Sequence, residues 1–343
     1  DAEKPAASNP GLFAGVCLSA KAFEEDLVVW DSAAAVSSAA PGTEDREDPF
    51  GVGFTRYELD IMEDALVMGI RDYMKKCGFT RAHLGLSGGI DSALVAYLGV
   101  KALGADNIVC FSMPSRFSSQ GSKDDARELA ENLGCRYEVL PIEEVYGSFL
   151  STLAGVFENR PFDIAEENLQ ARIRGTLLMG FSNKFNSMLL TTGNKSELAM
   201  GYCTLYGDMD GALGPIGDVF KTEVFALCKR VNERSLATGG KAIIPQAVID
   251  KPPSAELRPN QKDQDSLPPY EVLDEILKLY LYDNLSLGEI AGKGWDADLA
   301  ARIIRTVARA EFKRRQAPPV LKVSPRAFGM GRRMPIARNI FEL

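Results

Sequence analysis

The stretch Leu84-Gly85-Leu86-Ser87-Gly88-Gly89-Ile90-Asp91-Ser92-Ala93-Leu94 joins an apolar strand pattern to an apolar helix pattern through a Ser-Gly-Gly-x-Asp-Ser turn. With little side-chain bulk at Ser87, Gly88 and Gly89, successive backbone N–H groups can point into one concavity. The following helix adds the positive end of its dipole. Such a turn holds an oxyanion. Asp91 would repel phosphates unless a divalent cation bridged them, so the local chemistry reads as nucleotide plus metal. No Lys precedes Ser92 and no Gly-x-Gly-x-x-Gly is present, which excludes the common lysine-bearing phosphate loop and the dinucleotide fingerprint. The bland alternative is a glycine-rich strand-to-helix turn without a ligand.

The turn resembles the pyrophosphate loop of the N-type ATP pyrophosphatases. That resemblance implies cleavage of ATP between its α and β phosphates and adenylation of an oxygen atom on a second substrate. It leaves the acceptor open among amides, thiolated bases and guanidino compounds.

A chain of 343 residues suggests about two domains, or one large α/β domain with appendages. With 45% hydrophobic and 25% charged residues, it has the composition of a soluble globular protein. The net charge of −8 argues against a broad nucleic-acid surface. Cys17, Cys77, Cys110, Cys135, Cys203 and Cys228 form no C-x-x-C pair, which favours reduced structural thiols over a disulfide frame or zinc site. The single histidine, His83, cannot build a multi-histidine metal centre, and its place before the first core strand predicts a structural or surface role. No apolar run reaches membrane-spanning length and no signal-like leader is evident, so a cytoplasmic location is expected.

From residue 82 the pattern alternates: strand 83–86, helix 92–103, strand 107–113, helix 123–133, strand 135–140. This alternation predicts a parallel sheet covered by helices on both faces. Helical spacing also marks residues 57–77, 165–183, 221–232, 269–281 and 297–315, and an apolar run at 187–192 reads as a further strand. Residues 245–269, rich in Pro, Gln, Asp and Ser, read as an extended or mobile loop. Residues 33–49 are small, polar and acidic, the composition of a linker, and 23–31 is compatible with a short strand.

A second constellation lies downstream. Glu167-Asn168-Leu169-Gln170-Ala171-Arg172-Ile173-Arg174-Gly175 places Asn168 and Arg172 on one helix face, able to meet an anionic or amide-bearing ligand, with a solvated face as the alternative. Thr192 and Glu197 bracket a strand end and a helix start, the edge where open parallel sheets bind ligands. Glu197 is then a second carboxylate for a cation, or merely a first-turn acid favoured by the helix dipole.

Together with Leu190-Thr191-Thr192-Gly193-Asn194-Lys195-Ser196-Glu197-Leu198 and Gly201-Tyr202-Cys203-Thr204-Leu205-Tyr206-Gly207-Asp208-Met209, these residues resemble the NAD synthetases, specifically the synthetase portion of the bacterial glutamine-dependent enzymes, over residues 54–343. The resemblance implies a doubly wound, Rossmann-like α/β fold of the adenine nucleotide alpha hydrolase type, mostly parallel, with a helical C-terminal extension. It implies ATP contacts at Gly85, Leu86, Ser87, Gly88, Gly89, Ile90, Asp91, Ser92, Arg116, Thr192, Lys221 and Ser254. Mg²⁺ would be held by Asp91 and Glu197, with Lys221 completing the catalytic set. The deamidated dinucleotide, deamido-NAD, would meet Asn168, Arg172, Glu197, Leu205, Tyr206, Gly207, Asp208 and Lys313. The implied partners are deamido-NAD, ATP and ammonia, with a homodimer or larger homo-oligomer as the assembly.

The reaction so implied is amidation through an adenylated carboxylate, releasing AMP and pyrophosphate. Another acceptor, such as the purine nucleotide of GMP synthetase, and a non-catalytic nucleotide sensor are the alternatives. Two departures stand out. Gly217 replaces the Lys expected in a Pro-Ile-Lys-Asp segment. Residues 1–32 read as a remnant of a nitrilase-like glutaminase domain, followed by a linker at 33–53, so Cys17 is expected to be a structural thiol rather than a nucleophile. The initial Asp suggests a fragment or processed product, with ammonia supplied by a glutaminase domain or subunit.

Overall fold

The computed structural model describes residues 22–23, 47–158, 160–259 and 261–337. The strand expected at 23–31, apart from Phe23, lies outside the described residues, as do Cys17 and most of the expected linker. Phe50, Val52 and Phe54 already pack on the main core.

Helix α1 (Arg56–Lys76) opens with a capping box in which Thr55 and Glu58 exchange hydrogen bonds, and it closes with Lys75 and Lys76 at the negative end of its dipole. Leu59, Met62, Leu66, Ile70 and Met74, spaced by three and four residues, form its buried stripe. The alternation expected from the sequence follows: β1 (Ala82–Gly85), α2 (Ile90–Leu103), β2 (Ile108–Ser112), α3 (Gln120–Leu133) and β3 (Arg136–Val139). Next come α4 (Glu143–Leu153), α5 (Ile164–Phe185), β4 (Met188–Leu189), α6 (Lys195–Met200), α7 (Lys221–Ala237) and α8 (Gln246–Asp250). The chain then adds α9 (Tyr270–Leu281), α10 (Leu287–Gly292), α11 (Ala297–Arg309) and α12 (Glu311–Arg314).

All strand pairs are parallel and the order is β3-β2-β1-β4, with Ala82 opposite Ile108 on one side and Met188 on the other. The chain steps outward from β1 to β3, then returns to the far side of β1. The strand order therefore reverses at β1, and a crevice opens beyond its carboxyl end. Parallel bridges at Leu190–Leu213 and Gly214–Val320 carry the pairing past β4.

On one face of the sheet, Leu84 of β1 and Cys110 of β2 share a core with Leu94 and Leu98 of α2, Leu66 and Ile70 of α1 and Leu227 of α7. Helix α2 is buried nearly all round because it is enclosed by these helices and the sheet. The other face packs Phe111, Met113 and Leu189 against Ile173 and Leu178 of α5. A third core joins Leu198 and Phe220 to Leu273, Ile276, Ile303 and Val307, seating the C-terminal helices beside the sheet. Truncating one such Leu or Ile to Ala costs about 2–5 kcal/mol.

His83 is fully buried on β1, against Phe111 and Phe181. Its Nδ1 meets Ser187 Oγ at 2.9 Å and its Nε2 meets the Leu178 carbonyl at 3.0 Å. Of the two roles expected, the structural one is realised, and desolvation holds its pKa down at about 4.

The structure corrects the sequence reading in several places. Residues 245–269 are not a free loop: they contain α8 and a 3-10 turn at Asp263–Asp265. The helix expected over 297–315 is broken at Ala310 into α11 and α12. Only Met188 and Leu189 of the 187–192 run pair as a strand. The helix start expected at Glu197 is that of α6, whereas α4, α8 and α10 were not anticipated. Among the described residues no helix is long and apolar enough to cross a membrane.

Candidate active site

The crevice beyond β1 holds a cavity of about 310 Å³, and its floor is the segment from Gly85 to Ser92. The loop is cross-braced internally. Ser87 N–H donates to Ser92 Oγ at 3.2 Å, the two hydroxyls lie 3.1 Å apart, and Gly89 N–H donates to Ser87 Oγ at 3.2 Å. Gly88 has φ +81°, and a Cβ there would collide with the Ser122 carbonyl oxygen, so only glycine lets the loop lie against α3. Gly89 caps α2 without a side chain, leaving the first N–H groups of that helix open to the cavity.

Asp91, in the first turn of α2, accepts a hydrogen bond from Asn194 Nδ2 at 2.9 Å and is ion-paired with Lys221. Asn194 also caps α6 in a capping box with Glu197, so one short helix start fixes both Asp91 and Glu197. Lys221 Nζ stands 3.6 Å from Glu197 Oε1. Burial disfavours the lysine's charge, but Asp91 and Glu197 outweigh it and raise the pKa above the usual lysine value. Desolvation, reinforced by Asp91, pushes the Glu197 carboxyl up to about 8.

A third acid enters the same corner. Asp263, 4% exposed, accepts from Tyr270 Oη at 2.9 Å through one oxygen, while its other oxygen has no hydrogen-bond partner within normal distance among the described residues, with Tyr202 nearby. Its pKa is raised, mainly by desolvation.

The chain from Lys251 to Leu257 straps the cavity. Lys251 Nζ pairs with Asp125 at 2.6 Å and donates to the carbonyl of Gly88 at 3.1 Å. Glu256 accepts from Ser119 and Ser122 hydroxyls at 2.8 and 2.7 Å, and Gln170 holds the Leu257 carbonyl at 2.9 Å. Ser254 lines the cavity and donates to the Gln261 carbonyl at 2.6 Å.

Opposite, α5 meets the 201–210 loop at close range: a Cβ on Gly207 would lie 3.0 Å from Ala171. Asn168 accepts from Thr204 Oγ1 at 2.7 Å, and Arg172 Nε donates to the Leu205 carbonyl at 3.2 Å. Lys313 donates to the carbonyls of Gly201 and Cys203 at 2.8 and 2.7 Å. Asp208 accepts from Thr204 N–H at 2.6 Å, and desolvation pushes its carboxyl up to about 6. Tyr206, at φ +60°, is exposed and donates to Gln316 at 2.7 Å.

Of the residues singled out from the sequence, Gly85 to Ser92, Thr192, Glu197, Gly207, Asp208, Lys221 and Ser254 line this one cavity. Asn168, Arg172, Leu205 and Lys313 hold its wall from behind rather than lining it. Arg116 lies elsewhere, its guanidinium ion-paired with Glu143 and outside the lining. Sequence reasoning missed Asn194, Lys251, Glu256 and Asp263. Asn194 carried a readable signal, an Asn three residues before a Glu at a helix start. The other three stand in the segment read as a loop. At Gly217, where a Lys was expected, a side chain would collide with Val320.

No group of three or more His, Cys, Asp or Glu side chains converges as a ready metal site among the described residues. Two carboxylates beside an anion cradle nonetheless suit Mg²⁺, which keeps waters and takes further oxygens from substrate phosphates.

The family profile described as NAD synthase matches residues 62–317. The chain is 53% identical over 281 residues to a protein named glutamine-dependent NAD(+) synthetase from Synechocystis sp. (82% of this chain, 49% of the relative), and 51% identical over 278 residues to one from Thermotoga maritima (81% and 48%). The chain thus spans about half the length of the curated relatives it matches. Among solved structures it resembles glutamine-dependent NAD+ synthetase from Acinetobacter baumannii in complex with ADP, at TM-score 0.55 and 44% identity, covering 81% of this chain and 49% of that one. It also resembles NH3-dependent NAD synthetase from Campylobacter jejuni, at TM-score 0.60 and 29% identity (77% and 99%), and NMN synthetase from Francisella tularensis, at 0.63 and 27% (76% and 98%). With a family profile across most of its length and relatives at half identity, the chain belongs to the NAD synthase family.

Proposed function

We propose that the chain amidates deamido-NAD to NAD, using ATP and Mg²⁺, through an adenylated carboxylate. The supporting observation is the joining, in one cavity, of a side-chain-poor oxyanion loop with the Asp91–Lys221–Glu197 group and the wall formed by α5 and the 201–210 loop. The acceptor carboxylate attacks the α-phosphorus. The bond to the bridging oxygen breaks, and pyrophosphate leaves with its charge met by the N–H groups at Ser87 to Ser92 and the dipole of α2. Lys221 stands where negative charge accumulates on the transferring phosphates, and Asp91 holds it in place. Ammonia then attacks the acyl carbon, AMP departs, and one proton is released. Asp91 and Glu197 would hold Mg²⁺, which supplies Lewis-acid neutralisation of the phosphate oxygens when bound.

In this reading residues 54–343 form the synthetase unit. The N-terminal residues belong to a glutaminase domain of the kind implied by the relatives' names, and the protein works as a cytoplasmic homo-oligomer. Asn168, Arg172 and Lys313 act on deamido-NAD by setting the 201–210 loop. A second acceptor, nicotinate mononucleotide, is suggested by the likeness to the Francisella NMN synthetase.

The test incubates the purified chain with ATP, Mg²⁺ and ammonium, adding deamido-NAD, nicotinate mononucleotide or a purine nucleotide in parallel. AMP and NAD appearing with deamido-NAD is the expected result. AMP with another acceptor alone would replace the substrate, and AMP with none would end the reading.

A further inference from the structure

Four cationic side chains line the cavity among the described residues: Lys123, Arg174, Lys221 and Lys251. Lys221 is bound to Asp91 and Glu197, and Lys251 to Asp125. Lys123 sits on a flexible stem at the start of α3. Arg174 differs from all three. It is fixed on α5, its Nε donates to the Met113 carbonyl at 3.0 Å, and that is its only hydrogen bond among the described residues. Among the described residues no carboxylate lies within ion-pair distance of it. Glu256 is the acid whose charge it feels, and the oxygens of Glu256 are taken by Ser119 and Ser122.

The position of Arg174 narrows what it can meet. Met113 directly follows β2, and a Cβ on Gly85 would touch Met113 and Leu178 at 3.3 and 3.6 Å, so the guanidinium stands on the α5 side of the strand end that opens into the loop. Its neighbour Gly175 approaches the opposite partner: a Cβ there would lie 2.9 Å from the Gly207 carbonyl. Arg174 therefore stands where the loop end of the cavity meets the acceptor wall. The β and γ phosphates belong to the loop, so the anion left at this junction is the reacting one.

We propose that Arg174 binds the α-phosphate of the nucleotide through the free edge of its guanidinium, and stabilises the charge on that phosphate while the acceptor carboxylate displaces pyrophosphate. The inference rests on the amidation reading above. Arg174 transfers no proton; the acyl–phosphate bond forms, the α–β phosphate bond breaks, and the guanidinium stays charged throughout. Desolvation lowers its pKa to about 10, still high enough to keep the charge, and an arriving anion removes the cost of holding it unpaired. A planar fork with one edge anchored and the other open suits phosphate better than a lysine would.

The experiment compares wild type with R174Q and R174K, measuring the dissociation constant for ATP·Mg²⁺ without acceptor and single-turnover pyrophosphate release with deamido-NAD. R174Q should slow pyrophosphate release by about 100-fold, the usual worth of one charge-stabilising donor, while ATP affinity changes far less. R174K should recover part of the rate. Equal losses in affinity and rate, or no loss in either, would overturn the proposal. If R174Q fails to fold, a folded R174K with the wild-type rate would overturn it equally. A wild-type protein releasing no AMP would instead remove the amidation reading, and this inference with it.

Discussion

Lys195 and Lys221 each begin a helix, α6 and α7, and each is buried against acids, yet the two sites are built differently. Lys195 Nζ stands within hydrogen-bond distance of four oxygens, Asp218 at 2.6 Å, Tyr282 Oη at 3.0 Å, Ser324 Oγ at 2.7 Å and the Arg326 carbonyl at 2.8 Å, more acceptors than its three protons need. Asp218 in turn accepts from Val323 and Ser324 N–H groups at 2.9 and 2.8 Å. Both side chains of the pair are 0% exposed. Every group is satisfied, and the network pins residues 323–326 to the helix starts. Lys221 instead faces Asp91 and Glu197, 17% and 18% exposed, with the buried carboxyl of Asp263 in the same corner. A closed network fixes a fold, whereas an acid-rich, half-open one awaits a ligand.

The strongest test of that contrast is Lys221→Met. It should lower pyrophosphate release by about 1,000-fold, the upper range for loss of a charge-stabilising group. Because Glu197 takes a proton readily and water reaches both acids, the loss of stability should be minor. A variant that unfolds while residual enzyme keeps full turnover would place Lys221 with Lys195.

Lys195→Met reverses the expectation. Leaving Asp218 buried without its partner should cost about 3–5 kcal/mol in guanidinium denaturation. A stable variant with lost activity would break the comparison from the other side.

His83 belongs with Lys195, being buried with both ring nitrogens engaged. Its folded pKa of about 4 lies below the ordinary 6.5, so the folded state resists protonation. This contribution is complete above pH 6.5 and is lost as pH falls towards 4, about 3 kcal/mol by linkage. Denaturation of wild type and His83→Gln between pH 7 and 4 should show the slope flattened in the variant; equal slopes would remove His83 as its source.

Gly88→Ala should weaken ATP binding by displacing the loop from the Ser122 carbonyl, at a stability cost of about 1–3 kcal/mol for the strained backbone. Isothermal titration with ATP·Mg²⁺ reads the first effect and thermal melting the second; unchanged affinity would separate the loop from the nucleotide. The smallest effect is expected at Arg116→Ala, whose exposed pair with Glu143 should contribute no more than about 1 kcal/mol. An affinity loss for ATP as large as that of Gly88→Ala would mean that Glu143 releases Arg116 in the complex.

The sheet and its loop were legible because their signals are local. Apolar strands, helical spacing from Tyr57 to Cys77 and the Ser-Gly-Gly-x-Asp-Ser turn each specify a conformation within a few residues. Most short helices were not. Helix α8 has five residues and α10 six, too few for a periodic stripe, and α6 showed only its start at Glu197, its placement being held by tertiary contacts such as the Asn194–Asp91 bond. The chain after Lys251 read as loop because Pro252, Pro253 and Pro259 break every period. Its order comes from Lys251, Glu256 and Leu257 binding partners more than 80 residues away in sequence.

What the sequence determined by itself is the Ser-Gly-Gly-x-Asp-Ser loop, the parallel alternation around it, and which acids and lysines were available, because these depend on residue type and short spacing. The tertiary structure decided which lysine closed a buried network and which came to face the cavity. By residue type and spacing Lys195 and Lys221 look alike, both lysines near acids at helix starts, and only the family resemblance singled out Lys221. They diverge only when folding closes Tyr282, Ser324 and Arg326 around the first, and opens a cavity lined by Asp91, Glu197 and Asp263 beside the second.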